Sequence, residues 1–207
     1  MKTNSNTYTI IYSAILVVIV AFLLAFVSQS LKEKQDKNVA LDTKKQILYS
    51  LNIRGLDDDA ASEKYDSVIF KIDSIGEGKE RVPYIYYAKI DGKEKYVLPM
   101  KGMGLWGGIS GFLSINDDKQ TVYGAYFNHE SETAGLGAEI KDDVSWQEKF
   151  QNKKLFGADG QPALSVEKKV EDPSTQVDAV TGATLTSNGV SDMLKEGIKK
   201  YEAFLKK

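Results

Sequence analysis

Asp178-Ala179-Val180-Thr181-Gly182-Ala183-Thr184-Leu185-Thr186-Ser187 runs directly into an apolar stripe formed by Val190, Met193, Leu194, Ile198, Tyr201 and Leu205. The steps of three and four residues predict an amphipathic helix with one buried face. Lysines crowd its C-terminal end, where the helix dipole favours them. In front of the helix, Gly182 permits unusual backbone angles and Ala183 leaves the approach open, so Thr181 to Thr184 reads as a small-residue turn. Thr186, Ser187 or Asn188 can supply the cap. A helix N-terminus offers unpaired N–H groups and a positive dipole end, which suits a phosphate. Taken alone, the same string is equally a capped turn, so the rest of the chain has to decide.

Upstream, the pattern changes to strands. Val68 to Ile72 is one, and Tyr84 to Ile90, rich in aromatic and β-branched residues, is a second. Asp91-Gly92 is a turn signal that pairs Lys95 to Leu98 back as a hairpin. Gly108 to Ile115 and Thr121 to Phe127 form another pair across the polar Asn116-Asp117-Asp118-Lys119. Asp143 to Phe150 reads as a short helix and Ala163 to Val166 as a short strand. The fold class is therefore α+β: antiparallel strands with a C-terminal helix around a single core.

The N-terminal part is different. Ile10 to Val27 carries no charge and is mostly Ile, Leu, Val, Ala and Phe. A bilayer core needs about 20 apolar residues in a helix, so this segment reads as an uncleaved transmembrane anchor. Leu31 to Lys45 is polar and becomes helical. Ile47, Leu48, Leu51 and Ile53 continue at helical spacing up to Gly55, and Asp57-Asp58-Asp59 is a solvated turn or a helix N-terminus. The divisions are residues 1–31 for the anchor, 32–66 for a helical connector and 67–207 for the folded domain. Lys32, Lys34 and Lys37 follow the span, and a positive-inside count alone would leave the domain in the cytoplasm.

Composition narrows the chemistry. The 207 residues carry a net charge of −2, which gives no electrostatic case for nucleic acid. With no Cys and a single His, His129, the chain has no thiolate nucleophile, no iron–sulfur ligand set and no multi-His metal site. Redox chemistry would need an organic cofactor.

Two further strings stand upstream: Gly104-Leu105-Trp106-Gly107 and Glu132-Thr133-Ala134-Gly135-Leu136-Gly137. Together with Asp178 to Thr184, in this order and behind one anchor, they resemble the FMN-binding domain family that includes the C subunit of the Na+-translocating NADH:quinone reductase. The G subunit of the Rnf complex is a close relative. Ala134 stands where that family usually has Pro. The resemblance covers essentially the whole chain and implies FMN held through a phosphoester to Thr184, installed by a separate Mg-dependent flavin transferase that reads Asp178. Thr181, Gly182, Ala183 and Thr186 would surround the linkage, and Leu105 and Trp106 would wall the isoalloxazine ring. Glu132, Thr133, Gly135, Leu136 and Gly137 would form a second loop at the cofactor. His129 is expected to be a loop residue at a strand end. The resemblance further implies an electron-transfer subunit of a larger complex in the bacterial inner membrane, single-pass, with its domain in the periplasm. That complex would oxidise NADH, reduce ubiquinone and export Na+. A G-type Rnf subunit, and a cofactor-free anchored structural or assembly protein, are the alternative readings.

Overall fold

The computed structural model describes residues 6–75 and 82–206. Helix α1 (Asn6–Ser50) is long and apolar enough to cross a membrane. Side chains such as Phe22 and Leu24, 69% and 66% exposed within the protein, need a non-aqueous surrounding. Asn6–Asp42 makes up the described part of one compact unit; the second, Thr43–Lys207, begins with the last turns of the same helix.

Helix α1 stops earlier than its apolar spacing suggests. Ile53, expected to continue the helix up to Gly55, lies beyond it. Asn52 takes a left-handed conformation (φ 61°). The Asn52 N–H donates to the Tyr49 carbonyl at 3.0 Å and the Ile53 N–H to the Leu48 carbonyl at 2.9 Å, a Schellman ending. Of the two readings of the aspartate run, the helix N-terminus is the one found. The Asp57 carboxylate accepts from the Ala60 N–H at 2.8 Å and caps α2 (Asp58–Val68). Val68, expected to open a strand, instead closes this helix. Asp57→Ala is expected to remove about 1 kcal/mol of stability. A urea midpoint equal to the wild-type value would show the cap to be idle.

The central sheet is an antiparallel meander of β1 (Ile69–Ile75), β2 (Val82–Ile90), β3 (Lys93–Met103), β4 (Gly108–Asn116) and β5 (Val122–His129), in that spatial order. Asp91 and Gly92 both have positive φ, 49° and 79°, as the two-residue hairpin turn requires. Both sheet faces are covered, so the central strands are buried nearly throughout. On one face Val97, Phe112 and Ala88 pack with Ile47, Leu48 and Leu51 of the α1 ending and with Ala61 and Val68 of α2. On the other, Tyr96, Leu98, Met100, Leu113 and Phe127 pack under α5 (Thr184–Lys200), through Val190, Met193, Leu194 and Ile198. Trp146 of α4 (Val144–Glu148), with Phe150 just beyond it, completes this core, and α3 (Glu139–Asp142) precedes that helix. Tyr201 interrupts the last helix, and α6 (Glu202–Leu205) adds the final buried residue, Leu205.

A small parallel pair, β6 (Ser165–Glu167) with β7 (Gln176–Asp178), lies outside the meander. β7 is only three residues long and has no periodicity to betray it. The Ser191 hydroxyl joins the pair to the core: it accepts from the Val166 N–H and donates to the Val166 carbonyl, both at 2.7 Å, pinning β6 to α5. The turn after β7 is thereby delivered to the start of α5.

Candidate functional site

Three loops meet at the N-terminus of α5. The β3–β4 turn is closed by the Gly104 N–H donating to the Gly107 carbonyl at 2.8 Å, which pushes Leu105 and Trp106 outward. The loop between β5 and α3 is folded on Thr133, whose carbonyl accepts from Leu136 at 3.1 Å and Ala138 at 3.0 Å. The turn between β7 and α5 passes through Gly182, whose φ of 76° is left-handed. A Cβ there would also lie 2.8 Å from the tip of the exposed Leu136 side chain, which can swing aside, so the left-handed backbone is what requires glycine.

The loops enclose an open cleft of about 210 Å3. Leu105 and Trp106 stand on one side, with Glu132, Thr133, Leu136 and Gly137 on the second. Gly182, Ala183, Thr184 and Thr186 close the third, together with Leu185. Leu185 is the residue that reading the sequence missed. Its signal was present: it is an apolar side chain at the helix start that lies off the buried stripe. Thr184 is exposed at the first helical position, and its hydroxyl makes no hydrogen bond with the described residues. Around it, Trp106 is 66% exposed, Leu185 59%, Leu105 46% and Leu136 42%. A rim of this kind marks a binding surface more than a scatter of surface hydrophobics does.

Not every expected residue faces this cleft. Gly135, Thr181 and Asp178 line a neighbouring polar depression with Trp146 and Lys149. The Asp178 carboxylate pairs with Lys149 at 2.8 Å, and its carbonyl accepts from the Trp146 indole N–H at 2.8 Å. The helix cap also differs from expectation. Helix α5 begins at Thr184, ahead of all three proposed capping residues, and Ala183 at the cap position offers no side-chain bond. The Ser187 hydroxyl accepts from the Val180 N–H at 3.2 Å and steadies the turn, while the buried Thr186 hydroxyl turns inward.

Thr186 donates to the Glu132 carboxylate at 2.6 Å, and the Trp106 N–H donates to the other oxygen at 2.9 Å. Glu132 is buried, 7% exposed. Burial is the largest single influence on its carboxyl and by itself would raise the pKa. The hydrogen bonds from Thr186 and from the Trp106 and Leu105 N–H groups, with His129 nearby, outweigh it and hold the group below the ordinary carboxylate range. His129 ends β5, and its Nδ1 accepts from the Glu132 N–H at 3.2 Å, so it acts within the loop. Because the folded carboxyl holds its proton less tightly than the unfolded one, near 4.3, its stabilisation is complete above that pH. It is lost as pH falls through the lower folded value. The urea midpoint of wild type should therefore approach that of Glu132→Gln as acid is added below about pH 4.3. A constant gap between the two proteins would contradict this.

The domain that carries this site has known counterparts. A model of the FMN-binding domain family matches residues 104–199. The C subunit of the Na(+)-translocating NADH-quinone reductase from Pseudomonas aeruginosa is 38% identical over 135 residues, 61% of this chain and 51% of that protein. Its namesake from Haemophilus ducreyi is 45% identical over 100 residues, 48% of this chain and 38% of that protein. The chain thus spans about half the length, or less, of these curated relatives. The crystal structure of the C subunit from Parabacteroides distasonis superposes with a TM-score of 0.78 at 33% identity, covering 86% of this chain and 98% of that one. That of Shewanella oneidensis NqrC, at 22% identity and a TM-score of 0.64, shares the fold over 80% of this chain and 96% of its own.

Proposed function

This chain belongs to the C-subunit family of the Na(+)-translocating NADH-quinone reductase, and from that premise we propose that it is an electron-transfer subunit with FMN esterified to Thr184. The carrying observation is the exposed Thr184 hydroxyl set at a helix N-terminus inside an exposed apolar rim. These residues fit a flavin phosphate. Leu105, Trp106, Leu136 and Leu185 offer the uncovered apolar surface that a flat aromatic ring can bury. The first-turn N–H groups of α5 have no partners within the helix and would hold the single charge of a phosphodiester. Gly182 keeps the approach to the hydroxyl free of a side chain.

When bound, FMN supplies one- and two-electron transfer, which none of this chain's own side chains provides. The protein's part is to hold and to shield. Thr184 fixes the phosphate, and the apolar rim excludes water from the ring. Thr133, which lines the cleft, and nearby backbone N–H groups would be the donors available to its polar edge. The ester forms when a separate Mg-dependent transferase moves the FMN moiety of FAD onto the Thr184 oxygen, releasing AMP and the hydroxyl proton. Among the described residues, no base is hydrogen-bonded to Thr184 to activate it unaided. Asp178, on the neighbouring depression, is available to that transferase.

The apolar segment of α1 holds the domain at the bacterial inner membrane, on the periplasmic side. There a tether keeps the cofactor from being lost by dissociation. Other members of the complex deliver NADH-derived electrons and pass them on toward ubiquinone, coupled to Na+ export. Intact mass and peptide mapping of protein made together with the transferase test this reading. One FMN less one water is expected, on the peptide containing Thr184; an unmodified peptide overturns it.

A further inference from the structure

The glycines of the two upstream motifs point to something other than a ligand. A Cβ on Gly104 would collide with Glu132 Oε1, and one on Gly137 would sit 2.5 Å from Glu132 Oε2. The same Gly137 Cβ would lie 2.6 Å from the Thr186 hydroxyl. These glycines make room for a buried carboxylate. That carboxylate bonds the Trp106 backbone, 26 residues away in sequence, and the Thr186 side chain, 54 residues away. His129 orients the Glu132 backbone at the same point. The three loops of the cleft therefore share one polar centre.

We propose that Glu132 is a positioning residue: it ties the Leu105–Trp106 wall to the first turn of α5, so that the wall stands at a set place relative to Thr184. The inference deepens the reading of Thr184 as the flavin-bearing residue, but its central claim, that Trp106 is held by Glu132, concerns the protein alone. A glutamine can preserve the tie. Its carbonyl oxygen accepts from the Trp106 N–H, and its amide donates to a Thr186 hydroxyl turned to accept. Alanine preserves neither bond and leaves the Trp106 N–H and the Thr186 hydroxyl facing an empty space.

Two measurements on the full chain test it. In a Thr184→Val background, which lacks the proposed linkage, time-resolved tryptophan anisotropy reports the wall, because Trp146 is buried and hydrogen-bonded through its indole N–H while Trp106 is exposed. Glu132→Ala should add a fast local component, and Glu132→Gln should not. In the flavin-bearing chain, a Trp106 held against the ring would quench its emission, so denaturation should brighten wild type and Glu132→Gln severalfold. Glu132→Ala, with its flavin still covalently attached, should brighten much less, and Trp106→Phe should do the same. Should Glu132→Ala fail to fold, Thr186→Val severs one arm of the tie and should give the same two changes in weaker form. An alanine variant with wild-type anisotropy overturns the proposal, as does a glutamine variant indistinguishable from alanine. A wild-type chain that carries no flavin overturns the Thr184 reading instead, and the anisotropy result still decides the tie.

Discussion

Thr184→Val should remove, completely, the flavin fluorescence that the proposed phosphoester would carry through denaturing electrophoresis. Esterification needs a hydroxyl at that point, and valine keeps the shape while deleting the oxygen. The fold should not notice. Thr184 is exposed, and its hydroxyl bonds to none of the described residues, so stability should stay within about 0.5 kcal/mol of wild type. The two threonines beside it in the chain are poorly placed to take over. The Thr186 hydroxyl is buried and spent on Glu132, and Thr181 lies on the far side of Gly182, facing the Asp178–Lys149 depression. Thr184→Ser restores the oxygen and should restore the band. A band that persisted in the valine variant would move the attachment to another hydroxyl and undo the proposed function with it.

Gly189→Ala should be the more damaging substitution for the fold. In an ordinary solvated helix interior, alanine in place of glycine stabilises by about 1 kcal/mol. Here the sign reverses. A Cβ at position 189 would run into the Met103 carbonyl oxygen and lie 3.2 Å from the Gly104 Cα. Both are backbone atoms, so the helix and the end of β3 have to part. Overpacking of this kind typically costs about 1–3 kcal/mol, seen as a lower urea midpoint with an unchanged slope. The damage also reaches the site, because Met103-Gly104 begins the turn that carries Leu105 and Trp106. An alanine variant as stable as wild type would mean that the strand end yields freely.

Much of this protein was legible along the chain because the deciding interactions are local or periodic. The uncharged run from Ile10 to Val27 needs only length and hydropathy. Val190, Met193, Leu194 and Ile198 announce a buried helix face by spacing alone, and all four are buried. Asp91-Gly92 announces its hairpin because only such residues accept positive φ readily. The three motif strings pointed to most of the residues that border the cleft through their resemblance to a known family. Short elements escaped: α2 and β7 are held by a cap and by parallel pairing, neither of which leaves a long period in the sequence.

The tertiary structure alone decided how the motifs divide and what joins them. Gly135, Thr181 and Asp178 sit among the motif residues in sequence, yet they line a different depression from Thr184: Thr181 and Asp178 lie before the left-handed Gly182, and Gly135 reaches the depression from the loop between β5 and α3. Glu132 reads as one more polar loop residue until the fold buries it between the Trp106 N–H and the Thr186 hydroxyl. Gly104 and Gly137 read as turn or ligand glycines until the carboxylate is seen filling the space a Cβ would take. Contacts spanning tens of residues carry no local periodicity, and a buried carboxylate becomes a tie only when the chain has already withdrawn water and supplied its donors.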